Sequence, residues 1–83
     1  MPDLVLAIDA GGTAVKAAVF SPDGSEAGVA SRILRPITPA PGFAERDADQ
    51  LWSAATEAVR AALAGAGLSG ADVAAVGITG HGN

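Results

Sequence analysis

The chain has no cysteine and no tyrosine, and it holds only one tryptophan, two phenylalanines and one methionine in 83 residues. Without cysteine there is no disulfide framework and no thiolate metal site. Few aromatics mean little large apolar volume: the hydrophobic fraction is 49%, but 20 of those residues are alanines, which bury little area each. Eighty-three residues allow one domain at most, and a core built from such side chains is expected to leave apolar surface that suits a partner element. Basic residues are scarce as well. Five Lys and Arg stand against nine Asp and Glu, giving a net charge of −4, and the five are scattered along the chain. A nucleic-acid or anionic-membrane surface requires clustered cations, so neither partner is expected. Met1-Pro2-Asp3 lacks a basic n-region, and the apolar stretch after it is broken by Asp9 and by glycines. No signal peptide or membrane span is expected, and the cytoplasm is the default location.

What is present reads as alternating strands and one helix. Leu4 to Ala10 is apolar except for Asp9, which predicts a central strand covered on both faces. Gly11-Gly12 signals a tight turn. Thr13 to Phe20, with Lys16 as its one charge, predicts a second strand. Ser21-Pro22-Asp23-Gly24-Ser25 is a turn by composition. Glu26 to Leu34 is a third, more polar strand nearer an edge, completing an antiparallel meander. Pro36, Pro39, Pro41 and Gly42 make the following stretch an extended loop.

A helix is expected to open at Asp47, three residues before Gln50, which is the capping-box spacing. Its apolar stripe is read as Leu51, Ala55, Val59, Ala62, Leu63 and Ala66, with Trp52 flanking it in the core. Gly65 and Gly67 supply the stop. Ser69-Gly70-Ala71-Asp72 repeats a capping pattern, and Val73 to Thr79 is the fourth strand. A helical crossover of this length favours a parallel return beside the first strand. The expected fold is α/β, a mixed sheet of order 3-2-1-4 with the helix on one face. An order of this kind resembles the opening half of a ribonuclease-H-like domain of the actin/hexokinase type. Because the chain stops four residues after an apolar strand, it is expected to be a piece of a larger domain.

The chemistry concentrates in Asp9-Ala10-Gly11-Gly12-Thr13-Ala14-Val15-Lys16. A Gly-Gly-Thr hairpin can turn backbone N–H groups into one concavity that suits phosphate oxygens, and the Thr13 hydroxyl adds a donor. Asp9, at the end of a buried strand, would pay for desolvation unless paired, and a hydrated magnesium ion would supply the countercharge. Lys16 stands within reach of a phosphate. The same residues also serve a plain hairpin in which Asp9 caps the turn and Lys16 lies along the surface. Glu45 reads as a brace for the Pro-rich loop, and His81 as either a loop histidine or a ligand-side residue, since it follows the C-terminal end of a parallel strand.

The Asp9-to-Lys16 stretch resembles the first phosphate motif of the actin/hexokinase superfamily. Pro41-Gly42-Phe43-Ala44-Glu45-Arg46-Asp47 through Trp52 and Val76-Gly77-Ile78-Thr79-Gly80-His81-Gly82-Asn83 resemble two further segments of FGGY carbohydrate kinases, in the same order and spacing. The resemblance covers essentially the whole chain, taken as the N-terminal part (1–83) of kinase domain I. It implies ATP and Mg2+ as cofactors and a small sugar as substrate. Asp9 would be the catalytic and magnesium-organising residue, Gly11, Gly12, Thr13 and Lys16 would bind the nucleotide phosphates, and His81, Gly82 and Asn83 would line the sugar site. The rest of the kinase chain is the implied partner, with room for a homodimer. In glycerol kinases the pair at Gly82-Asn83 is Arg-Glu, and in xylulokinases it is Met-His. Gly-Asn departs from both pairs: it counts against glycerol and does not carry the xylulokinase signature. The Gly80-His81-Gly82-Asn83 run most resembles the branch acting on L-xylulose, keto-gulonate or related polyols and ketoses. Two other readings share the hairpin: a glucokinase of the ROK type and an actin- or chaperone-like nucleotide-binding scaffold. The Pro41-to-Trp52 and Gly80-to-Asn83 segments count against both.

Overall fold

The computed structural model describes residues 3–11, 13–34 and 43–80, the last segment by its backbone alone up to residue 47. The elements follow in the order β1 (Leu4–Ala10), β2 (Ala14–Phe20), β3 (Glu26–Ile33), α1 (Phe43–Gly65), a short 3-10 turn (Gly70–Asp72) and β4 (Val73–Gly80). They form a single four-stranded sheet of order β3-β2-β1-β4. β2 is antiparallel to both β1 and β3, whereas β4 runs parallel to β1. This is the mixed sheet expected from the sequence.

α1 crosses β2 and β3 and barely reaches β1. Leu4 and Leu6 of β1, Ala17 and Val19 of β2, and Ala58, Ala62 and Leu63 of α1 form the buried cluster. Gly28 of β3 permits the close approach: a Cβ there would lie against the Ala62 carbonyl oxygen and 3.1 Å from the Ala66 Cβ. The Arg32 Nε–Glu57 Oε1 ion pair, at 3.4 Å, spans the same seam near the end of β3.

α1 opens at Phe43, four residues earlier than expected. Asp47 and Gln50 therefore lie inside the helix, and their spacing is not an N-terminal cap. The buried stripe is also rotated from the expected one: Ala54, Ala58, Ala62 and Leu63 are buried, while Leu51 is 38% and Trp52 75% exposed. Trp52 is not a core residue among those described. It sits with Val59 beside Leu6, Ile8 and Val76, lining an open apolar groove along the flank of α1, where the helix covers β1 only in part and leaves Val76 of β4 exposed.

The helix stop is as expected. Leu68 N–H donates to the Leu63 carbonyl at 2.8 Å and Gly67 N–H to the Ala64 carbonyl at 3.1 Å, the paired bonds of a Schellman motif, and Gly67 takes the positive φ (73°) that the motif requires. At the next start, Asp72 Oδ2 accepts from the Ser69 N–H at 2.9 Å.

The pairing of β4 with β1 contains one irregularity. Leu4 aligns with Val73, but Val5 aligns with Ala75, so Ala74 is left over as a bulge. From there the register runs evenly to Asp9 beside Thr79 and Ala10 beside Gly80. Among the described residues β1 is covered on one face only: Val5 is 42% exposed.

Candidate functional site

The site grows from the end of β1. Alternation along a strand puts Leu4, Leu6 and Ile8 on the helix side and Val5, Ala7 and Asp9 on the other. Asp9 therefore emerges on the face that α1 does not cover, and it is exposed. The expected desolvation of its carboxylate does not occur among the described residues, because nothing described lies over that face.

Register brings its neighbours to it. Lys16 of β2 stands directly opposite Asp9, at the roughly 4.5–5.5 Å Cβ separation of a cross-strand pair. Thr79 of β4 stands beside Asp9 on the other flank, and its hydroxyl donates to Asp9 Oδ1 at 3.1 Å. Thr79 carries no special role in the sequence reading. The result is a row, Lys16–Asp9–Thr79, across three adjacent strands. Below the row, Ala7, Ala18, Phe20 and Gly77 continue the same concavity, which holds about 430 Å³.

The hairpin joining β1 and β2 forms the upper rim. Gly11 N–H donates to the Ala14 carbonyl at 2.9 Å, and the Thr13 carbonyl accepts from Leu34 N–H at 2.8 Å. Gly11 thus spends its donor inside the turn. It is not at positive φ; a Cβ would stand only 3.3 Å from the Ala14 oxygen. Among the described residues, the donors left at this rim are those of Thr13 and Lys16, whose side chains are exposed. Gly12, His81, Gly82 and Asn83 lie outside the described residues.

The exposed Asp9 carboxylate and Lys16 ammonium could hold a hydrated cation and a phosphate oxygen. Among the described residues no group of three or more His, Cys, Asp or Glu side chains converges. One exposed carboxylate beside a cation and a loop rim is the arrangement that suits hydrated magnesium carried by phosphates, since that ion keeps most of its waters and takes one or two carboxylates. Among the described residues, no helix is long and apolar enough to cross a membrane.

Comparison with known proteins agrees with this architecture. The model of the FGGY family of carbohydrate kinases, N-terminal domain, matches residues 4–83. The chain is 45% identical over 75 residues to a glycerol kinase of Trichlorobacter lovleyi, covering 90% of this chain and 15% of that protein. It is 42% identical over 79 residues to a glycerol kinase of Agrobacterium fabrum, covering 95% of this chain and 16% of that protein. It is 39% identical over 77 residues to the L-xylulose/3-keto-L-gulonate kinase of Escherichia coli, covering 93% of this chain and 16% of that protein. The chain spans 15–16% of the length of these relatives. It belongs to the FGGY family of carbohydrate kinases, whose N-terminal domain its residues 4–83 match.

Proposed function

We propose that the full-length protein transfers the γ-phosphoryl group of ATP to a hydroxyl of a small sugar, a ketose such as xylulose or L-xylulose or a polyol. The observation that carries this reading is the Lys16–Asp9–Thr79 row beneath the Gly11–Ala14 hairpin, in a chain of the carbohydrate kinase family. Phosphoryl transfer asks a protein mostly for positioning and for charge neutralisation.

In this reading Lys16 and the Thr13 hydroxyl hold phosphate oxygens, Gly11 and Gly12 let the phosphates approach the backbone, and Asp9 organises hydrated magnesium. When bound, magnesium neutralises charge on the phosphate oxygens. His81, Gly82 and Asn83 form one wall of the sugar site. The 83 residues alone do not carry the reaction, because the base that takes the sugar proton and the second wall of the cleft belong to the remainder of the protein. The cytoplasm is the proposed location, and a homodimer is compatible with it.

Asp9→Asn in the full-length protein tests the core of the proposal. It should lower kcat about 10- to 100-fold while leaving the sugar KM near its native value. Near-native turnover would mean that Asp9 only caps the hairpin.

The acceptor is a separate matter, and the names of two relatives favour a second reading, glycerol. Identity over the scaffold says little about a choice made by a few side chains. At that point Gly82 and Asn83 replace two long charged groups, opening room for a longer molecule, and the Asn83 amide offers two donors and an acceptor to a hydroxyl pair. A panel of sugars and polyols with coupled ADP detection decides. The ketose reading expects glycerol to be neglected and Asn83→Ala to cost the preferred substrate about 1–3 kcal/mol of transition-state binding. A kcat/KM for glycerol equal to or above that for every pentulose tried would favour the second reading.

A further inference from the structure

We infer that Thr79 is a positioning residue for Asp9, fixing the carboxylate so that it can serve a metal–phosphate group; this rests on the kinase reading of the site. The two residues are 70 positions apart in sequence and meet only through the parallel pairing of β4 with β1. The Thr79 hydroxyl donates to Asp9 Oδ1 at 3.1 Å. A hydrogen bond to an ionised acceptor is among the stronger ones, and a β-branched side chain on a strand has few χ1 choices. The donor therefore stands at a defined place.

The consequence follows from what lies on the other flank. Lys16 is directly opposite Asp9, and among the described residues its ammonium has no hydrogen bond or ion pair. An Asp9 carboxylate free to swing toward β2 would pair with Lys16 and consume both charges. Thr79 draws Oδ1 toward β4 instead. The carboxylate keeps an oxygen for a hydrated cation, and Lys16 keeps its ammonium for a phosphate oxygen. The row works as three separate functions only while the hydroxyl holds the middle member.

The test uses the full-length protein, with Mn2+ and ADP as probes. Binding of Mn2+–ADP is followed by electron paramagnetic resonance, and binding of ADP in excess chelator by calorimetry. Thr79→Val keeps the strand-forming shape and removes the donor; Thr79→Ser restores it. Thr79→Val should weaken Mn2+–ADP binding about tenfold with metal-free ADP binding unchanged. Thr79→Ser should return it to within about threefold of the native value. Because Thr79 acts through Asp9, the Val effect should vanish in an Asp9→Asn background. If the Val variant does not fold, Thr79→Ala is read the same way. An undiminished Val effect in the Asp9→Asn background overturns the inference, as does native Mn2+–ADP binding by the Val variant when Asp9→Asn binds poorly. If Asp9→Asn itself binds Mn2+–ADP normally, the kinase reading of the site fails, and this inference with it.

Discussion

Replacing Gly28 with alanine adds one methyl group where α1 comes nearest the sheet. That methyl would land on the Ala62 carbonyl oxygen, a backbone atom with no rotamer to escape into, and 3.1 Å from the Ala66 Cβ. The helix has to lift from β3, loosening Ala58 and Ala62, which are 0% and 1% exposed, against Ala17 and Val19. Overpacking of this kind costs about 1–3 kcal/mol. The gain from restricting the unfolded chain offsets about 0.4–1 kcal/mol of it. The expected net loss is about 1–2 kcal/mol. Gly77→Ala is the matched control, since it lies in a strand and a Cβ there meets nothing within 4 Å; it should be neutral or slightly stabilising. Hydrogen–deuterium exchange on the full-length protein reads both locally. Peptides covering β3 and the second half of α1 should lose about 5- to 30-fold in protection with Gly28→Ala and keep it with Gly77→Ala. Equal protection in the two variants would show that the seam is loose enough to absorb a methyl group, and the packing account would be wrong.

Gly67→Ala forces a Cβ into the positive φ (73°) of the Schellman stop and should cost about 1–2 kcal/mol, read as a lower melting temperature together with faster exchange at the end of α1. In the β2–β3 turn, the Ser25 hydroxyl and then the Ser25 N–H donate to Asp23 Oδ1 at 2.7 and 2.9 Å, and these bonds hold the Asp23 carboxyl below its ordinary value. A carboxyl with a lowered folded pKa stabilises above its unfolded pKa, and that contribution drains away as pH falls through the folded value. Ser25→Ala should therefore move the Asp23 titration, followed by NMR, back up toward the ordinary aspartate range.

β1, β2 and β4 are readable because each is a largely apolar run bounded by turn residues, and the parallel placement of β4 follows from the length of the crossover. The polar character of Glu26, Ser31 and Arg32 marked β3 as the sheet edge. The helix was less legible. Alanine occupies so many positions of α1 that two adjacent stripes both look apolar. What selects Ala54, Ala58 and Ala62 over Leu51 and Ala55 is the gap left by Gly28 on β3, a feature of packing rather than of helical period. The start of α1 at Phe43 is not marked by the Asp47–Gln50 spacing, because an acid three residues before a Gln occurs inside helices as readily as at their ends. Trp52 borders the stripe expected from the sequence and reads as core for that reason, yet with the stripe rotated it lies over the part of the sheet that α1 leaves open. In the site, Asp9 and Lys16 were legible as neighbours of one hairpin. Thr79 was not, since its partner is 70 residues away and strand register is not written in either strand by itself.

The bulge at Ala74 can be understood as a change of phase. Val73 packs against the core, and so do Leu6 and Ile8, whose β4 counterparts are Val76 and Ile78. Odd and even positions cannot share one face of a regular strand. Between Val73 and Val76 the alternation has to slip once, and the Ala74–Ala75 pair is where it does, two side chains small enough to tolerate either side. Without the slip, a strand anchored at Val73 would offer Ile78 to Asp9 and turn the Thr79 hydroxyl toward the helix side. The alignment of a polar pair at one end of the sheet is thus set at the opposite end, by a dipeptide that touches neither residue.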